Sequence, residues 1–385
     1  MTDRFSKFLL INCISPSNFM IESRIMKILF LEPFFGGSHK DFALGFKAHS
    51  CHDVTLVTLP DRFWKWRMRG AALYFVNIVK DFSKFDAIIV TDMVDLTDFL
   101  SLAGKDLPPV FMYFHENQLS YPLSPRQTRD FHLGFTNIIS AFAADKVFFN
   151  SKFHFNDFIK SARQLIKQMP DFRPSWMIEQ IKQKTKVFYP GCDFEPGVIE
   201  LSKRNVKTPL IIWNHRWEYD KNPEFFFDAL SILKEKNISF TLALLGEKYD
   251  IFPDIFKKAK EKFKDEIVVY GYVESRNEYV NWLKKGAIVV SCAIQENFGI
   301  SIIEAVRFGC IPLLPDRLSY PEIMSEELHS KVLYQKKEDM LEKLTDMLVN
   351  YQEYLSLQEK LSENMEVFSW EIIVKQYDQT LENFL

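Results

Sequence analysis

Four side chains in the second half of the chain carry the strongest chemical signal: Arg216, Lys221, Glu296 and Glu304. Arg216 and Lys221 bracket a turn in Asn214-His215-Arg216-Trp217-Glu218-Tyr219-Asp220-Lys221-Asn222-Pro223, directly after the apolar run LIIWN (210–214). Two cations and a helix N-terminus converging at a strand end suit a diphosphate, and they stabilise negative charge building on a leaving group. The same spacing equally serves a surface turn with ordinary ion pairs. Glu296 stands in Glu296-Asn297-Phe298-Gly299, and Glu304 lies in the helix that Gly299 opens. Carboxylates accept hydrogen bonds from sugar hydroxyls, so a pair set across a loop and a helix turn can grip two ends of one ligand. Ile302, Ile303, Ala305 and Val306 make the surroundings of Glu304 apolar, and a buried acid needs a partner.

The first half offers three more groups. Gly36-Gly37-Ser38-His39 follows the first strand and precedes a helix. Paired glycines let a backbone approach a ligand closely, or simply make a tight turn. His115-Glu116-Asn117-Gln118 follows the run VFMYF (110–114); a His beside a carboxylate at a strand end can orient a hydroxyl or shuttle a proton. Arg62, Trp64, Lys65, Trp66, Arg67 and Arg69 interleave cations with aromatics, which fits a stacked base or an RNA backbone, and equally a solvated face with two anchoring tryptophans. Arg126 and Arg129, within 124–130, are a weaker case of the same kind.

The elements that must hold these groups alternate. KILFLE (27–32) reads as a buried strand broken by Pro33 and the glycine pair. VTLVTL (54–59), AIIVT (87–91), VFMYF, KVFFN (146–150) and KVFYP (186–190) follow, with helical periodicity between them, as over 130–143 and 151–168. After the polar stretch 201–209 a second series runs LIIWN, FTLALLG (240–246), IVVYGY (267–272), AIVVSC (287–292) and IPLLP (311–315). Strands alternating with helices imply parallel sheets covered on both faces, so the fold class is α/β, with two Rossmann-like doubly wound domains facing a cleft. We expect an N-terminal extension over 1–25, domains over 26–200 and 201–365, and a C-terminal helix over 366–385.

The bulk numbers agree. A chain of 385 residues is too long for one ordinary domain. With 47% hydrophobic residues it can fill two cores, and a net charge of −3 excludes a global pull toward nucleic acid. Charge is uneven, however: residues 152–186 carry eight cations against three anions, whereas 322–385 carry six against fourteen. A polyanion would therefore meet the first half. The five cysteines are scattered, without CxxC or metal spacing, which implies buried free thiols in a reducing compartment. Neither a membrane span nor a signal peptide is expected, so the expected location is cytoplasmic. No Asp-x-Asp occurs, and neither metal nor cofactor is called for.

The Arg/Lys and Glu motifs together resemble those of the retaining, family-4-type glycosyltransferases of GT-B architecture. The resemblance is closer still to the tRNA-queuosine α-mannosyltransferases. It covers EPFFGGSHK (32–40), TLPDRFWKWRMRGAALYF (58–75), VTDM (90–93), YFHENQLSYP (113–122), RDFHLGFTNI (129–138) and FNSKFHFNDF (149–158). In the second domain it covers WNHRWEYDKNPEFFF (213–227), LGE (245–247) and YPEI (320–323). Departures are small: the wider family usually has Gly where Asn297 stands, and this group more often has His where Gln295 stands.

The resemblance implies mannose transfer from GDP-mannose to queuosine at the anticodon wobble position of tRNA, with retention. Arg216 and Lys221 then hold the donor diphosphate, Glu296 the sugar and Glu304 the ribose, with Asn297, Phe298 and Gly299 beside sugar and phosphate. His115 and Glu116 join the catalytic set. Gly36, Gly37, Ser38, His39, Trp64, Lys65, Trp66, Arg67 and Asn117 face the acceptor. Other uses of the architecture stay open: a lipid or glycan acceptor, for which 61–70 would be a membrane-facing helix, or a sugar-nucleotide epimerase.

Overall fold

The computed structural model describes residues 24–122, 128–194, 204–246 and 252–385. Most of the expected extension, together with Arg126 and Glu247, lies outside the described residues. Two six-stranded sheets form, and every recorded strand pairing is parallel. The first contains β1 (Lys27–Phe35), β2 (Asp53–Pro60), β3 (Ala87–Thr91), β4 (Val110–Phe114), β5 (Lys146–Phe149) and β6 (Thr185–Val187), in the order β2-β1-β3-β4-β5-β6. The second contains β7 (Leu210–Trp213), β8 (Thr241–Leu244), β9 (Ile267–Tyr270), β10 (Ile288–Val290), β11 (Ile311–Pro315) and β12 (Leu333–Tyr334), in the order β12-β11-β10-β7-β8-β9. The continuous apolar runs explain the parallel arrangement. β3, β4, β10 and β11 are buried along their whole length, so both faces must be covered by helices.

Strand order also decides where a ligand can sit. The chain steps from β1 to β2 on one side and then to β3 on the other. In the second sheet it runs β7-β8-β9 outward and returns to β10 beside β7. Helices then leave on opposite faces, and a crevice opens at the carboxyl ends of the two strands at the reversal.

Two expectations about the elements are corrected. β1 does not stop before Pro33 but continues to Phe35, with its register against β2 shifting between Glu32 and Phe35. A strand tolerates proline, which has no N–H, at such an irregularity. Among the cysteines, Cys192, Cys292 and Cys310 are buried free thiols, but Cys51 is exposed. The last helix, Trp370–Glu382, returns to the first domain. Its Trp370, Ile373, Val374 and Tyr377 pack with Phe42, Phe46, Tyr113 and Phe148. Among the described residues, no helix is long and apolar enough to cross a membrane.

Candidate active site

At the second reversal, the chain leaves β7 through Asn214 and Arg216, makes one tight turn over Tyr219–Lys221, and enters the helix Pro223–Glu235. Proline at a helix's first position loses no hydrogen bond, which fixes where this helix starts. The turn drives Lys221 inward. Its Nζ donates to the Gln295 carbonyl at 2.9 Å and lies 3.3 Å from Glu296 Oε2 and 3.2 Å from Asp220 Oδ2. Burial alone would lower the ammonium's pKa, but the Glu296 and Asp220 carboxylates outweigh it and hold it raised. Arg216 stands further out, 43% exposed, and pairs with Glu218 at 3.1 Å.

Glu304 is clamped. Arg276 Nη2 lies 2.5 Å from one oxygen, and the Tyr279 hydroxyl donates to the other at 3.4 Å. Asn214 Nδ2 in turn donates to the Tyr279 hydroxyl at 3.0 Å and to the Ser301 carbonyl at 2.7 Å. Burial raises the Glu304 pKa, and Arg276 works against it. Gly299, at φ 102°, opens the helix Ile300–Arg307 in a conformation that favours glycine, and this aims Glu304 back toward Asn214. The two cations and two acids therefore gather at the carboxyl ends of neighbouring strands β7 and β10. Sequence reasoning missed Arg276 and Tyr279. Their spacing of three at the start of the helix Arg276–Lys285 puts both on one face, which was the available signal.

On the first domain, His39 Nδ1 lies 3.2 Å from Glu32 Oε2, and its ring stacks on His115 with centroids 4.0 Å apart. Burial would lower the His39 pKa, but Glu32, Asp92 and Glu116 outweigh it and raise it to about 9. His115 lacks such a partner, so burial and the His39 charge keep it neutral. Asp92 Oδ1 accepts from the His115 amide at 2.8 Å. Its other oxygen and His115 Nε2 are buried with no partner among the described residues. Burial raises the Asp92 carboxyl pKa. Glu32, His39 and His115 each offer a ligand atom within 4.8 Å of the others, enough for a metal ion; in this geometry Glu32 and His39 are satisfied by their own bond.

The two domains meet at these loops. Asn297 Nδ2 donates to the His115 carbonyl at 3.1 Å, and the Tyr219 hydroxyl donates to the Pro122 carbonyl. Glu322 of the second domain accepts from the amides of Lys152 and Phe153 at 2.8 and 3.1 Å and from the Tyr189 hydroxyl at 3.0 Å. It caps a first-domain helix from across the seam.

The remaining residues named from sequence divide. A Cβ on Gly36 would lie 2.0 Å from the Asp61 carboxylate, and Gly37 takes φ 48°, so both glycines are structurally required. Ser38 is exposed on the helix that follows, and Glu116 is half-buried, accepting from Gln118. Asn117 is buried, and its oxygen accepts from Leu119 and Ser120, shaping its own loop. Trp64 packs beside Met68, Met93 and Leu133, whereas Trp66 stands 76% exposed beside the exposed Lys65. Arg67 is tethered to the Pro60 carbonyl at 3.3 Å. Phe298 is buried against Tyr189 in the interdomain seam.

Two parallel sheets with these strand orders, joined across their carboxyl ends, define a glycosyltransferase of GT-B architecture. The sucrose-phosphate synthase of Thermosynechococcus elongatus matches with a TM-score of 0.73 at 14% identity, over 93% of this chain and 99% of that one. The Anabaena protein HepE, in complex with UDP-glucose, matches with 0.65 at 16% identity, over 93% and 100%. More specifically, the chain belongs to the tRNA-queuosine alpha-mannosyltransferase family. Residues 27–192 match the family's N-terminal domain, and residues 199–367 match the group 1 glycosyl transferases. A Drosophila melanogaster tRNA-queuosine alpha-mannosyltransferase is 37% identical over 311 residues, 78% of this chain and 82% of that protein. The chain is accordingly a hexosyltransferase.

Proposed function

We propose that this enzyme moves mannose from GDP-mannose, bound as co-substrate, to the cyclopentene-diol of queuosine at the wobble position of cytoplasmic tRNA, with retention. The observation that carries the reading is the Lys221–Glu296 pair, 3.3 Å apart at the reversal between β7 and β10 and opposite His39 and His115. The donor's diphosphate lies against Arg216 and Lys221, which offset the charge that develops as its bond to the anomeric carbon breaks. Lys221 has a second task, because the same ammonium holds Glu296, the acceptor of the sugar's hydroxyl hydrogens. Glu304, braced by Arg276, takes the ribose hydroxyls. The acceptor hydroxyl enters from the first domain, where Gly37, His39, His115 and Glu116 surround it and Lys65, Trp66 and Arg67 meet the RNA. No nucleophilic side chain stands among the motifs, so attack comes from the leaving group's own face. The C–O bond to the acceptor forms there, and the departing phosphate takes the hydroxyl proton. Orientation and closure of the cleft supply the rest of the rate.

Incubation of the full chain with labelled GDP-mannose and queuosine-containing tRNA should label the tRNA. Labelling only from another sugar nucleotide, or only of a lipid or glycan acceptor, would refute this assignment. Arg216→Ala should lower transfer at least about 100-fold while the protein stays folded. An active Arg216→Ala variant removes the diphosphate role.

A further inference from the structure

The molecule's net charge is −3, so a polyanion can be held only by a local concentration of cations. One such concentration lies outside the site already described. The helices Lys152–Gln168 and Trp176–Gln183 enclose a groove of about 440 Å³ lined by Lys160, Arg163, Lys167 and Lys182, with Asn156 and Gln164 between them and no carboxylate in the lining. Lys160, Arg163 and Lys167 follow one another at spacings of three and four, so they form a row along one helix face. Arg163 and Lys182 share Glu179 at 2.9 Å each, which leaves the groove net positive. Lys160 and Lys167 are exposed and have no carboxylate partner among the described residues.

The position of the row matters as much as its sign. This helix begins at the interdomain seam, where Glu322 receives its first amides. At about 1.5 Å per residue, the three cations stand roughly 12 to 23 Å from that end. A nucleotide inserted in the cleft leaves its flanking backbone at such distances, and that backbone needs counter-charge, not base readout.

We infer that this groove binds the phosphodiester backbone of the RNA whose modified nucleotide occupies the cleft, a role that rests on the tRNA reading above. The ligand chemistry is a row of phosphate monoanions on RNA, held without sequence preference.

The test uses the full chain with Lys160→Glu and Lys167→Glu combined, and Lys160→Arg with Lys167→Arg as the charge-preserving control. Affinity for queuosine-containing tRNA and for an unmodified transcript is measured from 50 to 200 mM salt, alongside binding to anionic vesicles and to the sugar nucleotide. We expect the reversed variant to lose roughly tenfold or more in affinity for both RNAs at low salt. Its log–log salt slope should fall by about 1.5–2, at 0.7–0.9 for each phosphate contact. Sugar-nucleotide affinity should be unchanged, and the arginine control should bind like the parent. Unchanged RNA affinity and slope overturn the inference, as does a loss confined to vesicles. If the parent transfers sugar to tRNA while the reversed variant keeps its KM and slope, the groove fails and the transfer reading survives. If the parent binds RNA through these lysines yet labels no queuosine, the transfer reading fails and the groove stands.

Discussion

At the residue scale, proximity of like and unlike groups governs what each side chain can do. Lys221 cannot be a simple surface cation, since two carboxylates and a carbonyl already hold it. His39 is the clearest titratable device. Its raised pKa means that its contribution to stability is fully present below the ordinary histidine value and is lost as pH rises through about 9. Asp92 acts in the same direction, because burial makes its ionised form costly in the folded state and so weakens the fold as pH rises. The melting temperature should therefore fall by several degrees between pH 6.5 and 9.5, and the drop should shrink in His39→Gln. Thermal melts across that range check it; a flat profile in the parent chain contradicts the charged His39–Glu32 pair.

At the scale of the element, the last helix shows how a segment can be placed by packing alone. Trp370–Glu382 is distant in sequence from β1 and β4, yet Trp370 and Tyr377 are buried against Phe42, and Tyr377 donates to the Phe188 carbonyl at 3.2 Å. Removing a buried indole leaves a cavity that the surrounding rings cannot fill. Trp370→Ala should cost about 3–5 kcal/mol and expose the tail to limited proteolysis. A denaturant titration measures the first effect, and a stable, protease-resistant variant would show the helix to be held by other contacts. The helix Pro223–Glu235 shows the converse, an element whose start is set locally by Pro223.

At the scale of the whole molecule, function depends on two separately built crevices sharing one space. The link between them is slender and polar: Glu322 with two helix amides, Asn297 with the His115 carbonyl, and Tyr219 with the Pro122 carbonyl. A carboxylate capping a helix start contributes about 1 kcal/mol, enough to bias the populations of two domain arrangements without altering either fold. Glu322→Ala should raise the KM for both substrates several-fold and increase the radius of gyration in solution scattering, with little change in melting temperature. An unchanged radius and KM would mean that closure does not depend on this cap.

Fold class and the four principal site residues were legible in the chain. Strand signals depend on local apolar runs, and ligand-binding motifs recur just after strand ends, so AIIVT, LIIWN and the residues around Lys221 and Glu296 needed no coordinates to be singled out. What the sequence could not express was partnership. Arg276 bracing Glu304, Glu32 charging His39, Asn117 turned into its own loop and Trp64 packed under its helix depend on contacts between segments brought together only by the order of the strands. The basic groove is of the same kind, since the run of cations over 152–186 was visible but its division between two helices around one hollow was not. Local sequence carries propensity and periodicity; which buried charge meets which, and which aromatic is left exposed, is decided by long-range packing.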